Sequence, residues 1–144
     1  MTPLQMAMVA STVANRGVAM DPQVLDRVVD SGGKTIVRVH PKELRRVMSR
    51  TTADEITSML VAAVNNGTGG AAAIPGISVA GKTGTAETGN SGINTTWFIC
   101  FAPAYHAQVA VAVTLENQRG FGGTTAAPIA KQLMQAVLSP RSNK

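Results

Sequence analysis

Lys82, Thr83, Gly84 and Thr85 are the residues of this chain whose types and spacing can do chemistry. They lie within the run Val79-Ala80-Gly81-Lys82-Thr83-Gly84-Thr85-Ala86-Glu87, which Pro75-Gly76 bounds upstream as a strand. A strand sends alternate side chains to opposite faces, so Thr83 and Thr85 share one face and Lys82 leaves from the other. The lysine stem is long enough to curl around a sheet edge. Gly84 leaves the backbone uncovered, where a ligand can lie along the strand. Hydroxyls, an ammonium and free N–H groups are donors suited to a carboxylate and to a carbonyl oxygen gaining charge. The same letters also serve plain structure: glycine marks bulges, and lysine on an edge strand guards against aggregation.

The elements that must position this strand can be read in order. Thr2, Pro3 and Gln5 form an N-terminal cap and capping box. Leu4, Met6, Ala7, Met8, Val9, Ala10, Val13 and Ala14 make the first helix apolar nearly all round, which predicts burial on all sides. Gly17 is expected to close it in the left-handed conformation. Termini usually lie at the surface, so a buried helix at the first residue carries the expectation of further sequence upstream. Residues 18–50 read as an exposed β excursion, with runs 23–29 and 35–39 joined by a turn and followed by a short basic helix or loop. A second helix is expected over Ala53–Asn65, capped by Thr52 and Glu55, with Ile56, Met59, Leu60, Ala63 and Val64 inward. Residues 77–116 hold three strands. The third, from Gln108 to Glu116, is apolar throughout and therefore expected at the centre. Residues 124–138 form the last helix, with Ile129, Leu133, Met134 and Val137 inward. The order predicts an α+β fold, an antiparallel sheet with helices packed on its faces.

Composition narrows the functional classes. A chain of 144 residues fits one domain. Its formal charge of +5 gathers partly at Arg38, Lys42, Arg45, Arg46 and Arg50, with no aromatic residues interleaved, so a solvated face is expected rather than a nucleic-acid site. The single cysteine, Cys100, lies in an apolar run and reads as a core residue. No metal or cofactor is expected: His40 and His106 lack second ligands at useful spacing. The loop Thr68 to Ala73 is rich in small residues, but it follows a helix and precedes a strand, the wrong order for a phosphate cradle. No apolar run reaches the roughly 18 residues of a membrane span.

Five stretches carry a resemblance. They are Thr2-Pro3-Leu4-Gln5-Met6-Ala7, Asn66-Gly67-Thr68-Gly69, the Lys-Thr-Gly run itself, Trp97-Phe98-Ile99-Cys100-Phe101-Ala102-Pro103, and Gly122-Gly123 ahead of Ala126-Ala127-Pro128. Together, and in this order, they resemble the C-terminal half of the transpeptidase domain of penicillin-binding proteins, nearest the class B enzymes. Cys100 stands where that family often has glycine. The family's site uses three motifs: Ser-x-x-Lys, a Ser-x-Asn or Ser-Asp-Asn loop, and Lys-Thr-Gly. Only the third is expected in this chain; neither Ser-x-x-Lys nor Ser-x-Asn is expected here.

The resemblance implies that residues 1–144 are the C-terminal portion of one transpeptidase domain of the penicillin-binding protein and serine β-lactamase-like fold. Its partner is the N-terminal half of the same domain, with the nucleophile, its base and two further strands of a five-stranded sheet, without which the strand Val109 to Glu116 is expected to show an unpaired apolar edge. The implied activity is that of a D,D-transpeptidase acting on peptidoglycan stem peptides, open to β-lactams, on the extracytoplasmic face of a bacterial membrane; the chain alone is expected to be inactive. Lys82 and Thr85 carry over as catalytic residues, and Thr83, Gly84 and Thr85 as substrate-binding residues. The Thr85 N–H is the implied half of an oxyanion hole, and Trp97 reads as core rather than cleft lining. A β-lactamase or β-lactam sensor of the same fold, or a non-catalytic scaffold, are the alternatives.

Overall fold

The structure, a computed structural model, describes residues 1–89 and 92–139. Helix α1 (Pro3–Ala14) starts at Thr2, whose side chain accepts from the Gln5 N–H while the Gln5 side chain accepts from the Thr2 N–H. Strands β1 (Val18–Met20), β2 (Arg27–Val29), β3 (Thr35–Arg38) and β4 (Glu43–Arg46) follow, then helix α2 (Arg50–Asn65) and one 3₁₀ turn (Gly70–Ala72). Strands β5 (Ala80–Glu87), β6 (Asn94–Ala102) and β7 (Val109–Gln118) form the main sheet, and helix α3 (Gly122–Leu138) ends the fold. The fold is α+β.

The main sheet is antiparallel in the order β5-β6-β7, so β6 is central and β7 lies at an edge. Strand β7 is thus the edge of the three strands described, and its open side is where the resemblance expects the two further strands of a five-stranded sheet. Its apolar residues meet helices on both faces, α3 on one and α1 on the other, with Val113 buried and most of the rest partly so. On one face α3 packs over Phe98, Cys100, Val111 and Val113, with Ala126, Ala127, Ala130 and Met134 inward. On the other, α1 and α2 pack over Ala80, Ile99 and Phe101.

The helix faces differ from the sequence reading. Helix α1 is not buried all round: Ala10, Thr12 and Val13 are buried, but Leu4 is 59% and Val9 50% exposed. One side meets the sheet, while Val47 and Met48 border Met8, Val9 and Thr12 in a shallow apolar groove. At its end Arg16 already has a positive φ of 52°, ahead of Gly17 at 86°. The Gly17 N–H bonds Thr12 O and the Arg16 N–H bonds Val13 O, the paired closure of a Schellman motif with Arg16 in the left-handed position. Gly17 is needed instead because a Cβ there would strike the Met48 carbonyl. Helix α2 begins three residues earlier than expected, at a Ser49 cap whose side chain accepts from the Thr52 N–H. Thr57 and Val64 face inward while Met59 is exposed. In α3 the inward stripe is the alanines and Met134, leaving Ile129, Leu133 and Val137 exposed. Small alanines let this helix sit close to the sheet, and closeness decided which face turned in.

Residues 18–46 make two antiparallel ribbons, β1 with β4 and β2 with β3. Every residue of β2 and β3 is exposed. The basic segment expected as helix or loop is in fact β4, because pairing with β1 satisfies its backbone.

Candidate active site

Strand β5 pairs with β6 along its whole length and with no other strand among the described residues. Its register sets Thr83 opposite Phe98 and Gly81 opposite Cys100, on the α3 face. Lys82, opposite Ile99, and Gly84, opposite Trp97, belong to the α1 face. The Lys82 side chain is exposed and does not stay there. Its Nζ donates to the Thr83 carbonyl at 3.0 Å and lies 3.4 Å from Thr83 Oγ1. A carbonyl that this ammonium can reach points away from β6, toward the open edge. Successive residues of an antiparallel strand alternate in direction, so the N–H and C=O of Thr85 point to that edge as well. The ammonium, the Thr83 hydroxyl and the outward backbone of Thr83 and Thr85 thus meet at one strand edge.

The hydroxyls are held by neighbours. Thr85 Oγ1 accepts from the Gly122 N–H at 3.3 Å, at the start of α3. A hydroxyl has one proton and two lone pairs, so accepting from an N–H leaves its proton free to donate outward. Thr83 Oγ1 lies 2.8 Å from Thr68 Oγ1. Thr68, Thr83, Thr85, Phe121, Gly123 and Thr124 line a cleft of about 380 Å³. The N-terminal end of α3 adds its positive dipole end to this wall. Its approach depends on two glycines. A Cβ on Gly122 would strike the Trp97 carbonyl and lie 2.6 Å from Gly84 O, and one on Gly123 would strike the Thr68 carbonyl.

Gly84 therefore has a structural use beside its bare surface: its backbone packs beneath Gly122. On its other side Gly84 lines a hollow of about 700 Å³ with Thr85, Trp97, Met6, Thr114 and Glu116. Trp97 is half-buried and borders this hollow, so it is a wall rather than a core filler. Thr114 Oγ1 is buried there without a hydrogen-bond partner among the described residues.

Thr68, Gly122 and Gly123 had no role assigned from sequence. Their signal was position: a threonine in Asn-Gly-Thr-Gly, and paired glycines where a helix starts. The letters Ser-x-x-Lys do occur once, at Ser31-Gly32-Gly33-Lys34, contrary to the assignment of Lys-Thr-Gly alone. The structure puts them in the β2–β3 turn, where Asp30 Oδ1 accepts from the Gly32 and Lys34 N–H groups at 2.9 Å. That turn is exposed and belongs to a ribbon apart from the sheet, so the match is one of letters. Among the described residues no group of three or more metal-ligating side chains occurs, and no helix is long and apolar enough to cross a membrane. The polar turn expected at 88–92 includes Asn90 and Ser91, which lie outside the described residues.

Comparison with known proteins places this geometry. Residues 1–135 match the model of the penicillin-binding protein transpeptidase domain. The chain is 41% identical to the peptidoglycan D,D-transpeptidase PbpA of Mycolicibacterium smegmatis, covering 96% of this chain and 29% of that protein. It is 34% identical to stage V sporulation protein D of Bacillus subtilis, over 99% of this chain and 24% of that protein. Among solved structures, penicillin-binding protein A from M. tuberculosis, as its imipenem acyl-enzyme complex, superposes with a TM-score of 0.86 at 36% identity, covering 96% of this chain and 31% of the other. The D,D-transpeptidase domain of a peptidoglycan glycosyltransferase from Eggerthella lenta gives 0.83 at 43% identity, over 94% and 32%. The chain thus spans less than a third of the length of these relatives. It belongs to the transpeptidase family of penicillin-binding proteins, on the class B side that its motifs resemble.

Proposed function

We propose that residues 1–144 are the C-terminal portion of a serine D,D-transpeptidase domain that cross-links peptidoglycan. A serine carried by the N-terminal half of the same domain attacks the carbonyl of a D-alanyl-D-alanine stem peptide. The peptide C–N bond breaks, D-alanine leaves with the proton, and an acyl-enzyme remains. An amine of a second stem peptide then takes the acyl group and frees the serine. β-Lactams acylate the same serine, and the domain works on the extracytoplasmic face of the membrane. The observation that carries this reading is the convergence of Lys82 Nζ, the Thr83 hydroxyl and the Thr85 backbone at the open edge of β5. The substrate lies along that edge as an added strand. Thr83 and Thr85 donate to its terminal carboxylate, Lys82 adds positive charge, and the Thr85 N–H faces the carbonyl oxygen as charge develops.

Intact-mass measurement after incubation with benzylpenicillin tests the proposal, on this chain alone and on the complete domain that contains it. The expected adduct maps outside residues 1–144 and forms only in the complete domain. Lys82→Ala slows its formation by about a hundredfold, the scale of losing one preorganised electrostatic contact. Rapid loss of the adduct to hydrolysis would identify a β-lactamase instead. No adduct in either sample would leave a scaffold, and an adduct on residues 1–144 would mean the nucleophile is misplaced.

A further inference from the structure

Thr68 lies outside the Lys-Thr-Gly strand, yet its hydroxyl is the nearest side-chain partner of Thr83. The two oxygens are 2.8 Å apart, and either atom can be the donor. The surroundings decide between the two directions. Lys82 Nζ can only donate, and it lies 3.4 Å from Thr83 Oγ1, so it occupies one lone pair of that oxygen. If Thr83 gave its single proton to Thr68, it would offer only lone pairs to the cleft. If Thr68 donates instead, both lone pairs of Thr83 are taken and its proton is forced outward. Thr85 Oγ1 accepts a single bond, from the Gly122 N–H, which leaves its proton free to donate as well. Two hydroxyls would then present protons to one anion.

We infer that Thr68 is a positioning residue for substrate-carboxylate recognition: by donating to Thr83 Oγ1 it turns the Thr83 proton into the cleft. The inference rests on the transpeptidase reading above and deepens it. Thr68 is well held for this task. Its backbone carbonyl packs against Cα of Gly123, a contact that a Cβ on residue 123 would abolish. It sits beyond the C-terminal end of α2, where a Cβ on Gly67 would lie 2.8 Å from the Ala63 carbonyl and one on Gly69 3.1 Å from the same oxygen. The tight Gly-Thr-Gly turn, strand β5 and the first turn of α3 therefore meet at one hydroxyl pair.

The test is the second-order rate of acylation of the complete domain by benzylpenicillin and by its methyl ester, which lacks the carboxylate charge. Thr68→Val keeps the shape and removes the hydroxyl. Its expected effect is about a tenfold loss with benzylpenicillin, the range for one hydrogen bond to a charged ligand, and less than a twofold loss with the ester. Thr68→Ser restores the benzylpenicillin rate, and Thr68→Val adds little in a Thr83→Val background. Equal losses with both compounds, no loss with either, or failure of serine to rescue would overturn the inference. Thermal unfolding is followed for each variant, and Thr68→Ala replaces Thr68→Val if the valine variant does not fold. If the unmutated domain is acylated by neither compound, the transpeptidase reading falls and this inference falls with it.

Discussion

At the scale of single residues, burial separates inert groups from available ones. Cys100 sits under α3 at 1% exposure, and burial pushes its thiol up to about 12 from an ordinary 9.0. The thiolate is the reactive form, so Cys100 is expected to ignore a thiol reagent at pH 8 until the chain is unfolded. The pH dependence has a definite sign. Between about pH 9 and pH 12 the unfolded chain releases a proton that the folded chain keeps, so stability falls as pH rises through that window. Thermal melts across this range, compared with Cys100→Ala, check it: the variant should fall less steeply. Lys82 is the opposite case. It is exposed, and its ammonium reaches around the strand edge to the Thr83 carbonyl at 3.0 Å, where a ligand can meet it.

At the scale of elements, small residues decide which surfaces approach closely. Helix α3 buries Ala126, Ala127 and Ala130 and leaves Leu133 47% exposed. Gly122 and Gly123 let its first turn touch the backbones of β5 and of the Thr68 turn. Overpacking either contact forces a backbone shift of the kind that typically costs about 1–3 kcal/mol. Helix α2 gives a direct comparison of two candidate caps. Ser49 Oγ accepts from the Thr52 N–H at 3.0 Å, while Thr52 is already within the helix. Ser49→Ala should therefore cost about 1 kcal/mol in denaturant unfolding. Thr52→Ala, which removes only an exposed hydroxyl pairing, should cost less than half of that. Equal losses would restore the later start.

At the scale of the whole molecule, what the chain leaves uncovered matters as much as what it buries. Leu4 and Val9 of α1 are half or more exposed, and β7 pairs only with β6 among the described residues. Apolar surface and an open strand edge both invite association. Under the proposal that a further half of the domain covers them, residues 1–144 alone should self-associate and bind a hydrophobic dye. Adding the N-terminal half should suppress both. Sedimentation would settle the matter: a monomeric, cooperatively unfolding chain that binds no dye would remove this support for a missing half.

The sequence by itself determined the local pieces whose signals are local. The Thr2–Gln5 capping box, the turn between β2 and β3, and the alternation that parts Thr83 and Thr85 from Lys82 all follow from residues within a few positions of one another. It also determined the family, because several spaced motifs in one order are specific where a tripeptide is not. Tertiary structure decided the rest. The strand order and register depend on which backbones pair, a choice made between segments distant in sequence. The inward face of α3 depends on how near the helix can come, which its glycines and alanines set against the sheet. The pairing of Thr68 with Thr83, and of Thr85 with Gly122, joins positions 15 and 37 residues apart. No local propensity encodes such distances, because only the packed fold brings those hydroxyls to one cleft.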